Sequence, residues 1–368
     1  MHLNTIKLTN FKNYEFQTLE FHSRINGITG KNGTGKTNLL DAIYYLCMCR
    51  SYFGIPDSAV VRHEQDVMRV EGAFEKAGEA TNIVAKIRIR RKKEFICNDV
   101  PYSKLSEHIG LLPVVVIAPD DTRLATEGSE YRRKFLDETL CQLDRVYLGH
   151  LMHYNKVLTQ RNSALKQMAK NGRFDHILIG TYNEQLAPAA TYIHEARKAF
   201  MVDFAPIFEA FYAKISNERE VVNCVYESKL HEAVLADLLE QNYEKDKILQ
   251  RTTQGIHRDN LGFIIGEKAV KRFASQGQLK SFILALKLAQ YEFIKTQKAV
   301  KPVLLLDDIF DKLDATRIES LIELLVNDDF GQVFITDTGE ERLNDILAKT
   351  DVDYQMFAVS SAGVSPVS

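Results

Sequence analysis

The segment Gly30-Lys31-Asn32-Gly33-Thr34-Gly35-Lys36-Thr37 decides the fold class of this chain. It fits the pattern G-x-x-x-x-G-K-[ST], which is typical of phosphate-binding loops. Residues 25–29 before it have strand character, and the apolar residues after it recur at helical spacing, at positions 39, 40, 43 and 46. A strand, a glycine-rich turn and a helix in this order predict an α/β nucleotide-binding fold.

Each part of this segment suits a phosphate group. Glycines let the backbone turn so that its N–H groups point at a phosphate, and the start of the following helix adds a partial positive charge. Lys36 is expected to bridge the β- and γ-phosphates of ATP, and the Thr37 hydroxyl is expected to hold Mg²⁺. The sequence therefore predicts ATP and Mg²⁺ as ligands of residues 30–37.

A second motif supplies the acidic groups that a Mg²⁺ site needs. The run Val303-Leu304-Leu305-Leu306 reads as a buried strand, and Asp307 and Asp308 follow it directly. Asp307 is expected to bind the Mg²⁺ ion, either directly or through a water molecule. Asp308 is expected to orient or deprotonate the attacking water.

The composition bounds the remaining possibilities. The chain has 368 residues, is 45% hydrophobic and 26% charged, and carries 47 Lys and Arg against 49 Asp and Glu, a net charge of −2. These values are typical of a soluble, core-forming chain of two to three domains, and any nucleic-acid surface must then be a local patch. The five cysteines include no C-x-x-C pair, and no 18-residue apolar run or signal peptide is visible. A cytoplasmic location is expected.

Three stretches with different residue patterns define the expected domains. Residues 1–120, with a β-rich lobe, and residues 251–368 are predicted to form one α/β head, because neither supplies a full parallel sheet alone. Residues 121–250 are predicted to be an inserted helical arm. Apolar residues step by three and four along 136–158 and 179–200, which predicts two long helices in an αα-hairpin. A further helix is predicted over 229–247.

The order of the motifs resembles that of ATP-binding-cassette (ABC) ATPases. Residues 274–281 (ASQGQLKS) contain the S-x-G-Q of their signature, residues 311–314 (DKLD) correspond to their D-loop, and residues 334–338 (FITDT) to their switch strand. A long insertion between the two ATPase halves is similar to the SMC branch. The fold implied by this resemblance is an ABC-type P-loop ATPase head split by an inserted arm.

Within that branch the whole chain resembles the RecF family of bacterial recombination mediators. The resemblance rests on residues 8–14 (LTNFKNY), 49–53 (CRSYF), 61–65 (VRHEQ), 119–121 (PDD) and 131–137 (YRRKFLD), besides the signature and the acidic pair. Two positions depart from the family pattern. Ile256 stands where the family usually has Pro, and Gln276 stands where it often has Arg or Gly; neither removes a phosphate-contacting group.

The resemblance implies a mechanism shared between two subunits. Ser275, Gly277 and Gln278 would contact the γ-phosphate held by a partner subunit, so that ATP closes a dimer and its hydrolysis loosens it. Lys36, Asp308 and Ser275 are then the expected catalytic residues. Gln65 would sense Mg²⁺ and the attacking water, and Thr336 or Asp337 would replace the switch histidine. Most cassette ATPases carry Glu at the position of Asp308. Because Asp is one methylene shorter than Glu, slow hydrolysis is expected.

Two basic clusters are candidate DNA surfaces. Lys86, Arg88, Arg90, Arg91, Lys92 and Lys93 fall within eight residues without an acid, and the first three share one face of a predicted strand. The alternative is a solvated edge strand that its charges protect from pairing. The second cluster comprises Arg132, Arg133 and Lys134, to which Arg50 and Arg62 could add. No base-reading motif is visible, so binding should follow the duplex backbone.

Three functional hypotheses follow. The first, implied by the resemblance, is an ATP-gated dimeric clamp on duplex or gapped DNA that works with RecR and RecO to load RecA, with weak, DNA-stimulated ATP hydrolysis. The second is the ATPase subunit of an ABC-type membrane transporter, which would not need the basic lobe or the long hairpin. The third is a P-loop kinase that does not dimerise, in which the region around Ser275 would have no role.

Overall fold

The computed structural model describes residues 1–216, 220–309, 315–327, 330–350 and 352–367. The chain divides into two compact units. The head unit comprises residues 1–122, 214–217 and 276–368, and the arm unit comprises residues 123–213 and 218–275. The expected boundary at 120/121 lies close to the first division, whereas the expected boundary at 250/251 lies 25 residues before the second.

The head unit contains an antiparallel sheet, which is the β-rich lobe. Its strand order is β2-β1-β4-β5-β6-β7. Along β5 the residues Ile83, Ala85 and Ile87 are buried and alternate with outward-facing residues, so this sheet covers a core on one face only. The strands are β1 (His2–Phe11), β2 (Tyr14–Glu20), β4 (Val67–Lys76), β5 (Glu79–Arg88), β6 (Glu94–Cys97) and β7 (Val100–Pro101).

A second, mixed sheet of the head unit carries the phosphate-binding loop. Its order is β15-β14-β3-β13-β12-β8, and all neighbouring strands except β14 and β15 run parallel. The strands β3, β8, β12 and β13 are buried along their whole length, as expected for strands of a covered parallel sheet. They are β3 (Ile25–Thr29), β8 (Val114–Ile117), β12 (Val303–Leu306), β13 (Val333–Asp337), β14 (Tyr354–Ser360) and β15 (Gly363–Val367).

The helix after the phosphate-binding loop joins the two sheets. Helix α1 (Lys36–Met48) packs against β1, β4 and β5 of the lobe and against β8 and β13 of the mixed sheet. Eleven of its 13 residues are buried, which is why its sequence is apolar around most of its circumference. The other helices of the head unit are α2 (Asp57–Val60), α10 (Gln276–Lys298), α11 (Ala315–Asn327) and α12 (Glu340–Ala348).

The arm unit is helical, with a small sheet. Strand β10 pairs with β9 and β11, and because β9 and β10 are antiparallel neighbours, residues 251–275 belong with the arm. This pairing is the physical reason that the structure divides at 275/276 and not at the expected 250/251. The elements are α3 (Arg123–Thr126), α4 (Ser129–Leu143), α5 (Arg145–Asn171), α6 (His176–Ser216), β9 (Val222–Glu227), α7 (Leu235–Gln241), α8 (Tyr243–Leu249), β10 (Asn260–Ile265), β11 (Lys268–Ala269) and α9 (Val270–Phe273).

Two predicted helices of the arm differ from the observed ones. The seam over 136–158 runs through two helices, because α4 ends before Asp144, whose carboxylate accepts a hydrogen bond from the Val146 N–H and begins α5. The helix predicted over 229–247 is replaced by a short 3₁₀ turn at 229–231 followed by α7 and α8.

A network of buried charges holds the arm unit together. Arg161 of α5 is fully buried and donates to Asn183, Asp246 and Thr252 at 2.7–2.8 Å. Arg197 of α6 is equally buried and donates to Asp137, to Asp259 and to the Ile256 carbonyl. The two arginines thereby fix residues 246–259 against the long helices.

Candidate nucleotide-binding site

The phosphate-binding loop leaves the carboxyl end of β3, the strand between β13 and β14. Gly30 has φ +153°, and a side chain there would collide with the Val359 carbonyl oxygen of β14. The left-handed φ of +115° at Gly35 lies immediately before α1. Glycine is required at these two positions because other residues adopt such backbone angles at a cost. At these two positions the loop therefore presents bare backbone, and the second of them lies at the start of a helix.

The turn between β1 and β2 supports this loop from outside. The Asn13 side-chain amide donates to the Thr34 carbonyl at 3.2 Å and accepts from Asn38 at 2.7 Å. The Tyr14 hydroxyl donates to the Gly35 carbonyl at 2.9 Å. Because these carbonyls are held on the outer side, the loop has less freedom to turn its N–H groups away from a ligand. This role of Asn13 and Tyr14 could not be predicted from the sequence, since nothing in their spacing from the loop signals it.

Lys36 points back into the loop that precedes it. Its Nζ donates to the Gly30 carbonyl at 2.9 Å and to the Lys31 carbonyl at 3.4 Å, and lies 3.9 Å from a carboxylate oxygen of Asp308. The side chain is buried. A phosphate group that enters the loop would replace weak carbonyl partners by charged oxygens, which are stronger acceptors.

Thr37 and the first acid of the pair meet across 270 residues of sequence. The Thr37 hydroxyl lies 2.9 and 3.0 Å from the two carboxylate oxygens of Asp307. The Thr336 hydroxyl at the end of β13 donates to the same carboxylate at 2.9 Å and accepts from the Asp308 N–H at 2.8 Å. The three neighbouring strands β3, β12 and β13 thus deliver their carboxyl-end residues to one point.

The electrostatic environment around the Asp307 carboxylate favours a bound cation. Burial raises the pKa of the Asp307 carboxyl above its usual value, while the hydrogen bonds from Thr37 and Thr336 act in the opposite direction. A buried carboxylate next to a second acid is a poor place for negative charge unless a cation compensates it. Asp308 itself has φ +41°, a left-handed conformation that is costly for a residue with a side chain and is often found at functional sites.

The residues present fit Mg²⁺. This ion prefers oxygen ligands and uses one or two protein groups together with phosphate and water. Thr37 and Asp307 offer such a pair, beside the loop that would hold the phosphates. Within the described residues, no group of three or more His, Cys, Asp and Glu side chains is gathered into a metal site.

A cleft of about 900 Å³ adjoins the outer side of the loop. It is lined by residues 30–34 of the loop, by β2 with its exposed Phe16, and by the turn between β14 and β15. A volume of this order is sufficient for a bound small molecule the size of a nucleotide. The cleft and the loop belong to the same unit.

The signature residues lie at a helix start. Ser275 is exposed and immediately precedes α10, whose first turn contains Gly277 and Gln278. An exposed serine before a 23-residue helix can offer donors to an anion from outside. The predicted D-loop, residues 311–314, lies outside the described residues.

Two further candidates are not at the acidic pair. Gln65 is exposed on the turn before β4, and in the described part of the chain it makes no contact with Thr37 or Asp307. Asp337 is buried and is used within its own segment, where it accepts from the Thr338 N–H and pairs with Arg342. Of the two switch-strand candidates, Thr336 is therefore the one in contact with Asp307 and Asp308.

The first basic cluster is less open than its sequence indicates. Lys86 and Arg88 do lie on the outer face of β5, but Lys86 is paired in register with Arg69 on one side and Glu94 on the other. Lys93 donates to the Cys49 carbonyl at 2.7 Å and pairs with Asp57 at 3.0 Å. Arg90, Arg91 and Lys92 are exposed in the turn after β5. Only part of the cluster is thus available to a partner.

In the second basic cluster, Arg132 and Arg133 make hydrogen bonds within the arm unit, and their contacts with DNA stay a prediction. Arg132 is buried and donates to Asn260 and to the carbonyls of Leu124 and Glu127. Arg133 donates to Ser129 and to the Asp259 carbonyl. These hydrogen bonds tie α4 to its own unit and involve both guanidinium groups. The YRRK spacing could not distinguish this role from a surface role.

Comparisons with known proteins agree with the motifs. The model of the RecF/RecN/SMC N-terminal domain matches residues 2–361. The chain is 45% identical to the DNA replication and repair protein RecF of Flavobacterium johnsoniae, over 97% of this chain and 99% of that protein. It is 43% identical to RecF of Bacteroides fragilis, over 99% of this chain and 98% of that one.

Solved structures give the same result. The structure of the recombination mediator protein RecF with ATP, in the RecFOR pathway, superposes with a TM-score of 0.89 at 29% identity, covering 100% of this chain and 98% of that one. An SMC head bound to the C-terminal winged-helix domain of ScpA has a TM-score of 0.59 at 14% identity, covering 100% and 97%, which shows the fold alone. The expected ABC-type head fold is confirmed. None of the helices in the described ranges has the length and apolarity to cross a bilayer.

Proposed function

Since the chain belongs to the RecF family, we propose that it is an ATP-dependent DNA-binding protein of DNA replication and repair that acts as a recombination mediator. The observation that carries this proposal is the meeting of Thr37, Asp307 and Asp308 with the loop at 30–37, in a chain that matches RecF proteins along nearly its whole length. The relatives and structural neighbours are RecF and SMC proteins, and they give no support to a transporter ATPase.

ATP binding is proposed at residues 30–37. The backbone N–H groups would surround the β-phosphate, and the Lys36 ammonium, which now contacts loop carbonyls, would turn to the β- and γ-phosphates. The cleft beside the loop would take the nucleoside. Thr37 and Asp307 would hold Mg²⁺, which neutralises phosphate charge when bound.

Hydrolysis is proposed to depend on Asp308 and Thr336. The Asp308 carboxylate, next to the Lys36 ammonium, would orient the attacking water and accept its proton. Thr336 holds the Asp308 backbone N–H and the Asp307 carboxylate together, so it would fix the relative positions of the two acids. A short carboxylate reaches less far toward the water than Glu would, which favours slow hydrolysis suited to a switch.

A closed dimer is proposed as the ATP-bound state. Ser275 is exposed before α10, where its hydroxyl and the first N–H groups of the helix can meet the γ-phosphate bound to a partner subunit. Duplex or gapped DNA would bind to the closed dimer and stimulate its weak hydrolysis. RecR and RecO would join it, since the structural neighbour is a RecF of the RecFOR pathway, and the family resemblance implies that together they load RecA.

The proposal is tested with three variants and one control. Lys36→Arg should impair ATP-dependent dimerisation, measured by sedimentation velocity, and DNA binding, measured by fluorescence anisotropy on gapped and intact duplex. Ser275→Arg should still bind ATP but fail to dimerise. Asp308→Asn should dimerise with ATP and lose hydrolysis by about 100-fold or more.

Ser103→Arg is the matched control for Ser275→Arg, because Ser103 is also exposed and belongs to neither the loop nor the acidic pair. It should behave like the wild type. If ATP leaves the wild type monomeric and duplex DNA neither binds in a salt-sensitive manner nor changes the hydrolysis rate, the clamp mechanism is wrong. A transporter-type ATPase would dimerise with ATP without responding to DNA, so the DNA measurements separate the two classes.

A further inference from the structure

Helix α5 has an unusual charge composition. In its 27 residues, Arg145–Asn171, there is no Asp or Glu, whereas five residues are Lys or Arg. The acid-free run continues through Arg173 to Phe174. The whole chain carries slightly more acidic than basic residues, so this helix concentrates positive charge in one element.

The exposed charges of α5 lie on one face. At 3.6 residues per turn, Lys156, Lys166 and Lys170 fall within about 80° of one another around the helix axis, and all three are exposed. The opposite face, with Tyr147, Tyr154, Arg161, Leu165 and Met168, is buried. Lys156, Lys166 and Lys170 are named the α5 stripe.

Acids of the arm unit form their ion pairs with groups other than the stripe lysines. The Arg161 charge is compensated inside the unit by Asp246 at 2.7 Å, so Asp246 is not available to the stripe. At the end of the hairpin, Glu240 contacts His176 at 3.1 Å and Glu244 pairs with Lys247 at 2.9 Å. No ion pair to Lys156, Lys166 or Lys170 is found in the described ranges.

The chemistry of the stripe favours a phosphate backbone as its ligand. The exposed positions between the lysines are uncharged: Thr159 and Ser163 donate to carbonyls of their own helix, and Gln160 and Gln167 are exposed amides. Amides and lysines are common phosphate contacts in DNA complexes and carry no base information. Met152 is the sole large exposed apolar residue beside the stripe in the described helix, which is too little for insertion into a lipid surface.

The dimensions agree with a duplex. Lys156 and Lys170 are 14 residues apart, which is about 21 Å along the axis, or about six base-pair steps of B-DNA. The lobe offers a poorer surface, because the outward charges of β5 alternate with acids such as Glu94 and with the Arg69–Glu71 pair. An acid-free face repels a polyanion nowhere along its length.

We propose that the α5 stripe binds the phosphate backbone of duplex DNA, independently of base sequence. This inference rests on the proposed function, since it assigns a contact surface to the DNA-binding activity. Lysine ammonium groups act as point charges without the fork geometry of Arg, so the contacts should be exchangeable along the duplex and dominated by counterion release.

The experiment compares two triple variants of the full chain. Lys156→Gln/Lys166→Gln/Lys170→Gln removes the stripe charges, and Lys198→Gln/Lys229→Gln/Lys268→Gln removes the same charge from other exposed positions of the arm unit. Binding to a fluorescent 30-base-pair duplex is measured with ATP between 50 and 200 mM salt. Gln is a good helix former, so both proteins should keep the wild-type circular dichroism and melting temperature.

The stripe variant should bind at least about tenfold more weakly, and the slope of log K against log salt should become shallower by about 2 to 3. The control variant should lose less than about threefold. Equal binding by the wild type and the stripe variant, or equal losses in both variants, overturns the proposal while leaving the proposed function intact. Salt-insensitive or undetectable binding by the wild type overturns both. Binding of polyglutamate as tightly as of duplex, lost in the stripe variant, would reassign the stripe to an acidic protein.

Discussion

At the residue scale, the acidic pair shows how far motif chemistry can be read from a sequence. Thr37 and Asp307 were expected to share a Mg²⁺ ion, and they lie in hydrogen-bond contact although 270 residues separate them. That expectation was possible because parallel strands present their carboxyl ends at one edge. The hydrogen bonds that Asn13 and Tyr14 donate to the phosphate-binding loop were not predictable from the sequence. They depend on where a turn of the other sheet lies relative to the loop.

The pKa of Asp307 leads to a prediction about stability. Its folded-state pKa is raised, mainly by burial, so the ionised carboxylate destabilises the fold. The destabilisation is absent below the usual value of 3.8, grows as the pH rises from there to the folded-state pKa, and is constant at higher pH. Asp307→Asn should therefore unfold with a higher free energy than the wild type in the absence of Mg²⁺ and ATP, by a margin that widens from pH 4 to pH 7.

The same variant should lose ATP hydrolysis by about 100-fold or more. Chemical denaturation at several pH values and a phosphate-release assay check the two expectations. Asp66→Asn, at an exposed position, is the control and should leave both properties unchanged. If Asp307→Asn is less stable than the wild type at every pH, the hydrogen bonds from Thr37 and Thr336 outweigh the cost of burial, and the account given for this carboxyl is wrong.

At the element scale, the arm helices show where periodicity is insufficient. The apolar steps of three and four continue across Asp144, so the sequence predicted one helix where α4 and α5 meet. Two hydrogen bonds to the Asp144 carboxylate separate α4 from α5. One comes from the Val146 N–H at the start of α5, and the other comes from the Tyr192 hydroxyl of α6 at 2.7 Å. A capping bond and a tertiary bond thus override a pattern that contains no breaker residue.

The buried pair of Arg161 and Asp246 gives a prediction for these elements. Both side chains are fully buried, and Asp246 also accepts from the N–H and hydroxyl of Thr253. Removal of one partner leaves an uncompensated buried charge, so Arg161→Met should destabilise the arm unit by about 3–5 kcal/mol. Asp246→Leu should cost a similar amount, and the double variant less than the sum.

Urea denaturation of the four proteins, followed by circular dichroism of the helical arm, measures this cycle. Lys245→Met is the matched control for Arg161→Met, because Lys245 is also a cation of the arm but is exposed. It should change the free energy of unfolding by less than about 0.5 kcal/mol. Additive losses in the double variant would mean that Arg161 and Asp246 stabilise the arm through separate partners.

At the scale of the whole molecule, the division into units depends on strand pairing. The sequence predicted that residues 251–368 belong to the head, because neither outer part of the chain supplies a full parallel sheet alone, but β10 pairs with β9 of the arm. A strand-like residue pattern predicts that a segment is a strand, but it does not predict which strand pairs with it. The family resemblance, in contrast, was readable from the whole chain, because its motifs fix chemistry as well as order, and it is confirmed by the relatives.

The division of the chain into two compact units predicts two separable responses to perturbation. The proposed ATP site is formed by residues of the head unit, and the Arg161 network by residues of the arm unit. Mg²⁺ and ATP should therefore protect amides of β3 and α1 from hydrogen exchange, by about 2.7 kcal/mol at a hundredfold excess over Kd.

Arg161→Met should instead speed exchange in α5 and α6 and leave β3 unchanged. Lys36→Arg should weaken the response of β3 to ATP without affecting exchange in α5. If Arg161→Met speeds exchange in β3 as much as in α5, the two units unfold as one cooperative structure, and ATP binding at the head would stabilise the arm to the same extent.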